Sequence, residues 1–309
     1  MVRLFRIVCA VVLAGYLVSS PGFSQSNVSE TGKAGMSFLT IAPSSRIASL
    51  GSSGSACMTG ASSLWSNPAL LALAQERSAQ FTHTEWIEGI RQEFAAFSTP
   101  FDYGMLGLGF NLFDSGDIDG RDLYGNDTGM WSIKNAAITV TCSGAITDGI
   151  TLGLSWKKLF QKVSDETASG YAFDAGLVVK TPIRGLLVAA AGRNYGRMSK
   201  LKSARTKLPS DVSIGCLYDS IAPVFERPWR LIGDLVFPRY GDTGIRLGTE
   251  LEAVTNFIVR IGYRSDSEFE NFSFGIGYNW EMVAADIAYT PMSDMSDDAL
   301  RFTLSLMGF

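Results

Sequence analysis

The chain has 309 residues, a formal net charge of −4, 46% hydrophobic residues and only 18% charged residues. This mildly acidic balance argues against a nucleic-acid partner, because such binding depends on clustered positive charge. The single histidine also leaves few options for an enzyme that needs a nucleophile and a base within reach of each other. Composition therefore favours a non-enzymatic protein without a bound cofactor or metal.

Residues 1–24 have the pattern of a cleaved export signal. Arg3 and Arg6 precede the apolar run at 7–17, and small residues stand just before Gln25, as a signal peptidase requires. A membrane anchor is the alternative, but the run is shorter than the roughly 20 residues of a spanning helix. The cysteines that remain, at 57, 142 and 216, are an odd number at wide spacing, which is not typical of a disulfide framework.

The segment at 25–76 is rich in small residues and ends in the motif Asn67, Pro68, Ala69. Pro68 disfavours a helical conformation at Asn67, whose side chain is suited to hydrogen-bond a turn. A flexible linker is the alternative interpretation. Apolar residues interspersed among the glycines and serines argue against it, namely Ile47, Leu50, Met58 and Leu64.

The rest of the chain, 77–309, alternates between apolar and small or polar residues. In 104–113 and 271–280, one face carries leucines or aromatics and the other carries Gly, Ser or Asn. Arg260 and Arg264 fall on the polar face of 255–264. A soluble sandwich also alternates, but small residues with a few charges are typical of a narrow, crowded barrel interior. We therefore predict an all-β fold, an antiparallel transmembrane β-barrel.

Fourteen segments show this alternation, an even number, as expected for a bacterial barrel. The predicted strands are 78–87, 91–99, 103–113, 135–144, 149–161, 170–180, 185–192, 211–219, 229–237, 243–252, 255–264, 271–281, 283–291 and 300–309. The two longest connections, 114–134 and 192–210, fall on the same side of this barrel, which we predict to be external. The terminal Phe309 is out of phase with Phe302 in the last strand. Either a bulge at Gly308 restores the phase, or the terminal signal for barrel assembly is imperfect.

The second long connection is strongly basic, with Arg193, Arg197, Lys200, Lys202, Arg205 and Lys207. We interpret it as a loop kept soluble by charge, with contact to outer-membrane lipid or to a partner as the alternative. Acidic stretches at 114–122 and 293–298 allow a calcium site, but solvated loop acid is favoured because the first lacks the closing glutamate of an EF-hand. The lone His83 is interpreted as a structural hydrogen-bonding residue.

Four stretches in a characteristic order carry a family resemblance: "SSRIASLGSSGSACMTGASSLWSNPALLALA" at 44–74, then "LPSDVSIGCLY" at 208–218, "RLGTELEAVTNFIVRIGYR" at 246–264 and "ADIAYTPMSDMSDDALRFTLSL" at 285–306. Together they resemble the PorV/PorQ-type outer-membrane proteins, relatives of the FadL long-chain fatty acid transporters. This resemblance covers nearly the whole mature chain.

The resemblance implies a 14-stranded barrel whose interior is obstructed by the segment at 25–76, with Asn67, Pro68 and Ala69 as a structural plug motif. Small residues fit this role because they permit close approach to strand backbones. It also implies a bacterial outer-membrane location and a role in transporting hydrophobic small molecules. The alternative role is a component of type IX-like protein secretion, in which external loops hold a secreted cargo protein.

Overall fold

The computed structural model describes residues 34–57, 60–219, 227–293 and 297–309. The predicted signal at 1–24 and the beginning of the small-residue segment lie outside the described residues. The described chain forms a closed antiparallel barrel of 14 strands. The predicted fold class is therefore confirmed.

In the described part of the chain, the strands are β1 (Ser78–Glu85), β2 (Arg91–Phe101), β3 (Gly104–Asp114), β4 (Ile118–Arg121), β5 (Asp127–Trp131), β6 (Ile133–Thr147), β7 (Ile150–Val163), β8 (Glu166–Lys180), β9 (Leu186–Met198), β10 (Lys200–Leu201), β11 (Ala204–Arg205), β12 (Asp211–Asp219), β13 (Trp229–Pro238), β14 (Gly244–Val254), β15 (Phe257–Arg264), β16 (Phe272–Trp280), β17 (Val283–Thr290) and β18 (Ala299–Met307). The pairs β4–β5 and β10–β11 form two hairpins outside the barrel wall, and the other strands form the barrel. Each predicted strand overlaps one barrel strand.

The barrel closes where its first and last strands pair. β1 pairs with β2 on one side and with β18 on the other, so that Ser78 lies opposite Met307. Every other barrel strand pairs with its neighbours in chain order. The wall is therefore an up-and-down meander with no free strand edge, which satisfies the backbone hydrogen bonds between neighbouring strands.

The two faces of the wall differ in chemistry as the alternation predicts. In β3, Leu106, Leu108 and Phe110 are exposed on the outer face, whereas Gly107 and Gly109 are buried on the inner face. The same alternation holds in β16, where Phe274 and Ile276 are exposed. The outer face thus carries an apolar belt, and the inner face is lined by small and polar side chains.

One end of the barrel has mostly short connections, with 220–228 as the exception. The connections at 102–103, 148–149, 255–256 and 281–282 contain two residues each, and we call this end the turn end. The opposite end carries the hairpins at 118–131 and 200–205, and we call it the hairpin end. The predicted long connections therefore share one side of the barrel.

Short helices precede the wall. They are α1 (Ser45–Ser49), α2 (Ser63–Ser66) and α3 (Leu71–Ala74), with 3-10 turns at Ser37–Thr40, Gly60–Ser62 and Pro68–Leu70, and one more at Ile87–Gly89 between β1 and β2. Among the described residues, no helix is long and apolar enough to cross a membrane.

Of the two alternatives for the chain end, the structure shows a change of phase at Gly308. This glycine has a left-handed backbone with φ 72°, and its N–H donates to the carbonyl of Arg77. The ring of Phe309 then lies 6.3 Å from the ring of Phe97, centroid to centroid. Because Phe97 is an outer-face residue, the terminal aromatic returns to the apolar belt.

Candidate functional site

The segment at 34–76, which we call the plug, lies inside the barrel and joins opposite walls. Helix α1 packs against β15 to β18, whereas the turn at 68–70 packs against β6 to β8. Counted along the ring of 14 strands, β17 and β8 are seven steps apart, which is half of the ring. The plug therefore spans the full width of the interior and obstructs it.

The Asn-Pro-Ala motif forms a fully buried turn against the wall. The Asn67 side-chain oxygen accepts a hydrogen bond from the Ala69 N–H at 3.0 Å, which caps the turn that begins at Pro68. Its amide nitrogen donates to the carbonyl of Ser55 at 2.8 Å. One side chain thus joins two distant parts of the plug, as a buried amide must do to satisfy both its donor and its acceptor.

Inward-facing glycines make room for the plug. A Cβ atom on Gly153 would lie 2.3 Å from the Pro68 carbonyl carbon, and one on Gly176 would lie 1.9 Å from the Asn67 side-chain oxygen. Five further wall glycines would meet plug atoms within 3.0 Å in the same way: Gly107, Gly215, Gly248, Gly262 and Gly275. The glycines on the polar face of the strands therefore form the surface against which the plug packs. They permit a close backbone approach that larger residues would prevent.

One wall of the interior, formed by β13 to β18, is highly charged. Glu250 lies at its centre and accepts hydrogen bonds from Arg46 of the plug at 2.7 and 3.0 Å. It also accepts from Arg230 at 2.9 Å and from Arg260 at 3.0 Å. Arg260 in turn donates to Asp286 at 2.6 Å. A single buried carboxylate therefore connects the plug with two strands of the wall.

A second contact between plug and wall uses Asp234 of β13. One of its carboxylate oxygens accepts the backbone N–H groups of Gly54 and Ser55, at 2.8 and 2.9 Å. The other oxygen lies against Gly215, where a Cβ would be 2.0 Å away. The charged wall thus holds the plug through its backbone as well as through Arg46.

Ion pairs continue towards the hairpin end of the same wall. Asp266 accepts hydrogen bonds from Arg246 at 2.6 Å and from Arg264 at 2.9 Å, and Arg264 also donates to Glu270 at 3.0 Å. Burial opposes ionisation of Asp266, but the hydrogen bonds and positive charge of the two arginines outweigh it and lower the pKa of its carboxyl well below the usual range. The loop that follows β15 is therefore held to the barrel.

The opposite part of the interior, near the hairpin end, is apolar, and the beginning of the plug fills it. We call this space the apolar chamber. Plug residues Met36, Phe38, Leu39 and Ile41 pack there against Ala137, Leu159, Ala168, Ala172, Met198 and Leu208. Phe38 is 1% exposed, and its ring lies 6.0 Å from that of Phe113. The indole N–H of Trp65 donates to the Leu39 carbonyl at 2.9 Å, which fixes the segment in place. The burial of these plug residues could not be predicted from the sequence, since 34–43 shows no clear periodicity.

The residues of the basic stretch do not share one environment. Arg193 lies within β9 rather than in a loop, because this strand continues to Met198. It points into the barrel, donates to Asp211 at 3.0 and 3.1 Å and lies 4.9 Å from the Trp65 ring centroid. Buried in this way, it is not available to lipid or to a partner. The expectation of a loop is wrong for Arg193 and also for Arg197, which lies in the same strand but is exposed. The other members are exposed: Arg197, Lys200, Lys202, Arg205 and Lys207.

His83 lies on the outer face of β1. Its Nδ1 is 2.6 Å from the Glu93 carboxylate, and its Nε2 is 3.5 Å from that of Glu85. No hydroxyl or thiol is bonded to this imidazole among the described residues. The histidine therefore stabilises the pairing of two strands.

Comparison with known proteins supports the fold. No protein-family model and no curated protein matches the sequence. The structure is similar to the CymD monoaromatic hydrocarbon channel, with a TM-score of 0.62 and 11% identity over 87% of this chain and 97% of that chain. It is also similar to the toluene transporter TodX of Pseudomonas putida, with a TM-score of 0.59 and 12% identity over 84% and 95% of the two chains. A FadL homologue from Pseudomonas aeruginosa is similar as well, with a TM-score of 0.58 and 12% identity over 83% of this chain and 95% of that chain.

The fold is therefore a closed 14-stranded barrel with the plug inside, and it is similar in structure to hydrocarbon channels and to a FadL homologue. These neighbours are channels and not enzymes by their descriptions. Because the identities are so low, the likeness establishes the fold alone. The narrower resemblance to the PorV/PorQ proteins stays a prediction.

Proposed function

We propose that the protein is a non-enzymatic outer-membrane barrel that transports hydrophobic small molecules. The carrying observation is the apolar chamber, since a buried apolar space near one end of a barrel is suited to an apolar ligand. The fold shared with hydrocarbon channels supports this choice of substrate class. In the described structure, Phe38 and its neighbours occupy the chamber, so a transported molecule must replace the chain's own side chains.

The outer face supports a membrane location. An apolar belt surrounds the wall, with Leu154 at 66% and Phe274 at 43% exposure, and burial of such a surface in lipid removes it from water. The hairpin end carries the long connections, which in bacterial outer-membrane barrels are external. We therefore place the apolar chamber on the external side, where a molecule from outside the cell arrives first.

The substitution Phe38→Ala tests this function. Removal of a buried phenyl group opens an apolar cavity, and such cavities bind small apolar molecules such as benzene. We expect cells that produce the variant to accumulate radiolabelled toluene faster than cells with the wild-type protein. Cells with the wild-type protein should in turn accumulate toluene faster than cells that lack the protein. Isolated protein should bind toluene about tenfold more tightly when the phenyl group is absent.

The matched control is Phe81→Ala, which removes the same group from the outer face of β1, where Phe81 is 52% exposed. Cells that produce this variant should accumulate toluene at the wild-type rate, and the isolated variant should bind toluene with wild-type affinity. Transport of hydrophobic molecules is contradicted if cells with and without the protein accumulate both toluene and a radiolabelled long-chain fatty acid at the same rate.

The second candidate is a role in type IX-like protein secretion or surface attachment, as in the PorV/PorQ proteins. The hairpin β4–β5 favours it, because Leu123 is 101% and Tyr124 is 91% exposed at the tip, and exposed apolar side chains are typical of protein contacts. The double variant Leu123→Ser, Tyr124→Ser should then lose a co-purified secreted protein. Retention of that protein would remove this candidate.

A further inference from the structure

A groove of about 700 Å³ crosses the outer face of the wall near the hairpin end. It runs over β2, β3, β6, β7 and β8, and no described plug residue lines it. Leu112 and Phe160 form part of its floor and are 52% and 43% exposed. The volume lies within the roughly 300–1,000 Å³ of small-molecule sites. The groove opens on the outer face of the wall, and it shares the wall residues Phe113 and Ala168 with the apolar chamber inside.

Strand register arranges the groove into two rows of outward-facing residues. The row nearer the middle of the barrel contains Glu93, Leu112, Ala136, Phe160 and Ser169. The row nearer the hairpin end contains Arg91, Asp114, Lys134, Lys162 and Thr167. The three central residues of the first row form a short apolar strip, Leu112, Ala136 and Phe160. This strip lies directly beside charged and hydroxyl groups, an arrangement that fits an amphiphilic molecule.

The charged row has unbalanced positive charge over β6 and β7. Lys134 and Lys162 are directly opposite one another in the register, and like charges in such positions are unfavourable. Asp114 pairs with Lys134 at 3.2 Å, but Lys162 makes no ion pair with a described residue. Lys158 adds another cation on this face, 5.5 Å from the Phe160 ring centroid. This part of the groove therefore favours an anion.

The position of the groove along the wall identifies the source of that anion. On β7, the outward residues nearer the turn end, Leu152, Leu154 and Trp156, are apolar and exposed, and the charged residues begin immediately beyond them. In a membrane-spanning barrel, the border between the apolar belt and charged residues is the level of lipid headgroups. A phosphate at this level belongs to a lipid whose chains continue along the belt.

We propose that the groove binds an anionic phospholipid of the surrounding membrane. The lipid phosphate accepts hydrogen bonds from Lys134 and Lys162, since charge-assisted bonds of this kind are strong. Thr167 and Ser169 provide hydroxyl donors beside it. The first methylenes of the acyl chains cover Ala136 and Phe160. This site depends on the proposed membrane location but not on transport.

Native mass spectrometry of the full-length barrel in mild detergent tests the site. The protein is titrated with phosphatidylglycerol, with phosphatidylcholine and with inorganic phosphate. Wild-type protein should retain phosphatidylglycerol in preference to both others. The double variant Lys134→Gln, Lys162→Gln should bind phosphatidylglycerol about tenfold more weakly, because it lacks both charged donors.

The matched control is Lys200→Gln, Arg205→Gln. These residues are also cross-strand cations at the hairpin end, but they lie outside the groove, so affinity should not change. A second variant, Ala136→Trp, fills the apolar strip without altering charge and should weaken binding as well. Gel mobility before and after heating shows that each variant is a closed barrel.

The proposal is overturned if the lysine variant and Ala136→Trp both bind phosphatidylglycerol as the wild type does. It is also overturned if inorganic phosphate displaces the lipid completely at equal concentration, which would indicate a simple anion site. Toluene accumulation is measured independently, so loss of lipid binding without loss of transport separates the two proposals.

Discussion

Replacement of Gly153 by alanine is expected to displace the plug and to expose Cys57 to thiol reagents about tenfold faster. A Cβ at this position would lie 2.3 Å from the Pro68 carbonyl carbon, which is backbone and cannot rotate away. Overpacking of this kind costs about 1–3 kcal/mol, and movement of the plug relieves it. Asn67 and Ala69 would leave the wall together with Pro68.

Cys57 reports on the plug because it is 0% exposed in the described structure. Burial also raises the pKa of its thiol, which disfavours the reactive thiolate while the plug is in place. The rate of modification is measured in protein that carries Cys142→Ser and Cys216→Ser, since both of these cysteines are exposed.

Gly109→Ala is the control for this experiment. Gly109 is also buried on the inner face of the wall, but its nearest potential contact, Leu64, lies at 3.4 Å, an ordinary contact distance. Its Cys57 should react as slowly as that of the parent protein. Equal reactivity of the Gly153 and Gly109 variants would contradict the inferred seating of the Asn-Pro-Ala turn.

The second large effect is expected for Glu250→Gln. The substitution removes the carboxylate that Arg46, Arg230 and Arg260 share, and it leaves a buried excess of positive charge. Removal of one partner from a buried ion pair costs about 3–5 kcal/mol. We expect a fall of that size in the free energy of unfolding, measured by urea denaturation of the folded barrel in lipid vesicles.

Glu166→Gln makes the same chemical change at an exposed position. Glu166 is 43% exposed and lies 3.6 Å from Lys202, and surface pairs of this kind contribute about 0–1 kcal/mol. Its free energy of unfolding should stay close to that of the wild type. If both variants unfold alike, Glu250 does not organise the charged wall.

The strands could be predicted from the sequence because their alternation has a period of two and each turn interrupts it. Leu106, Leu108 and Phe110 were placed on the outer face by this period alone, and the structure confirms it. The polar face of 255–264 could be predicted equally well. Arg260 and Arg264 are an even number of positions apart, so they share one face of the strand, and both point inward.

The contents of the interior could not be predicted in the same way. Arg46 and Glu250 are 204 positions apart, and no local pattern relates a plug residue to one strand of 14. Phe38 has no periodic neighbours that would indicate burial. Arg193 was assigned to a loop because it stands among exposed cations, but its partner Asp211 lies across the register in the next barrel strand.

The hydroxyl groups at the β1–β18 junction bear on how the chain is assembled. The Thr303 hydroxyl is 2.8 Å from that of Thr82, across the closing pair of strands, and it accepts the backbone N–H of Ser45 at 2.9 Å. Ser45 and Thr303 are 258 positions apart, so this contact forms only after the last strand has been made. Helix α1 also packs against β15, β16 and β17, so a nascent chain stopped before β18 would lack the closed wall and the Thr303 contact but would keep most of the surface on which α1 docks.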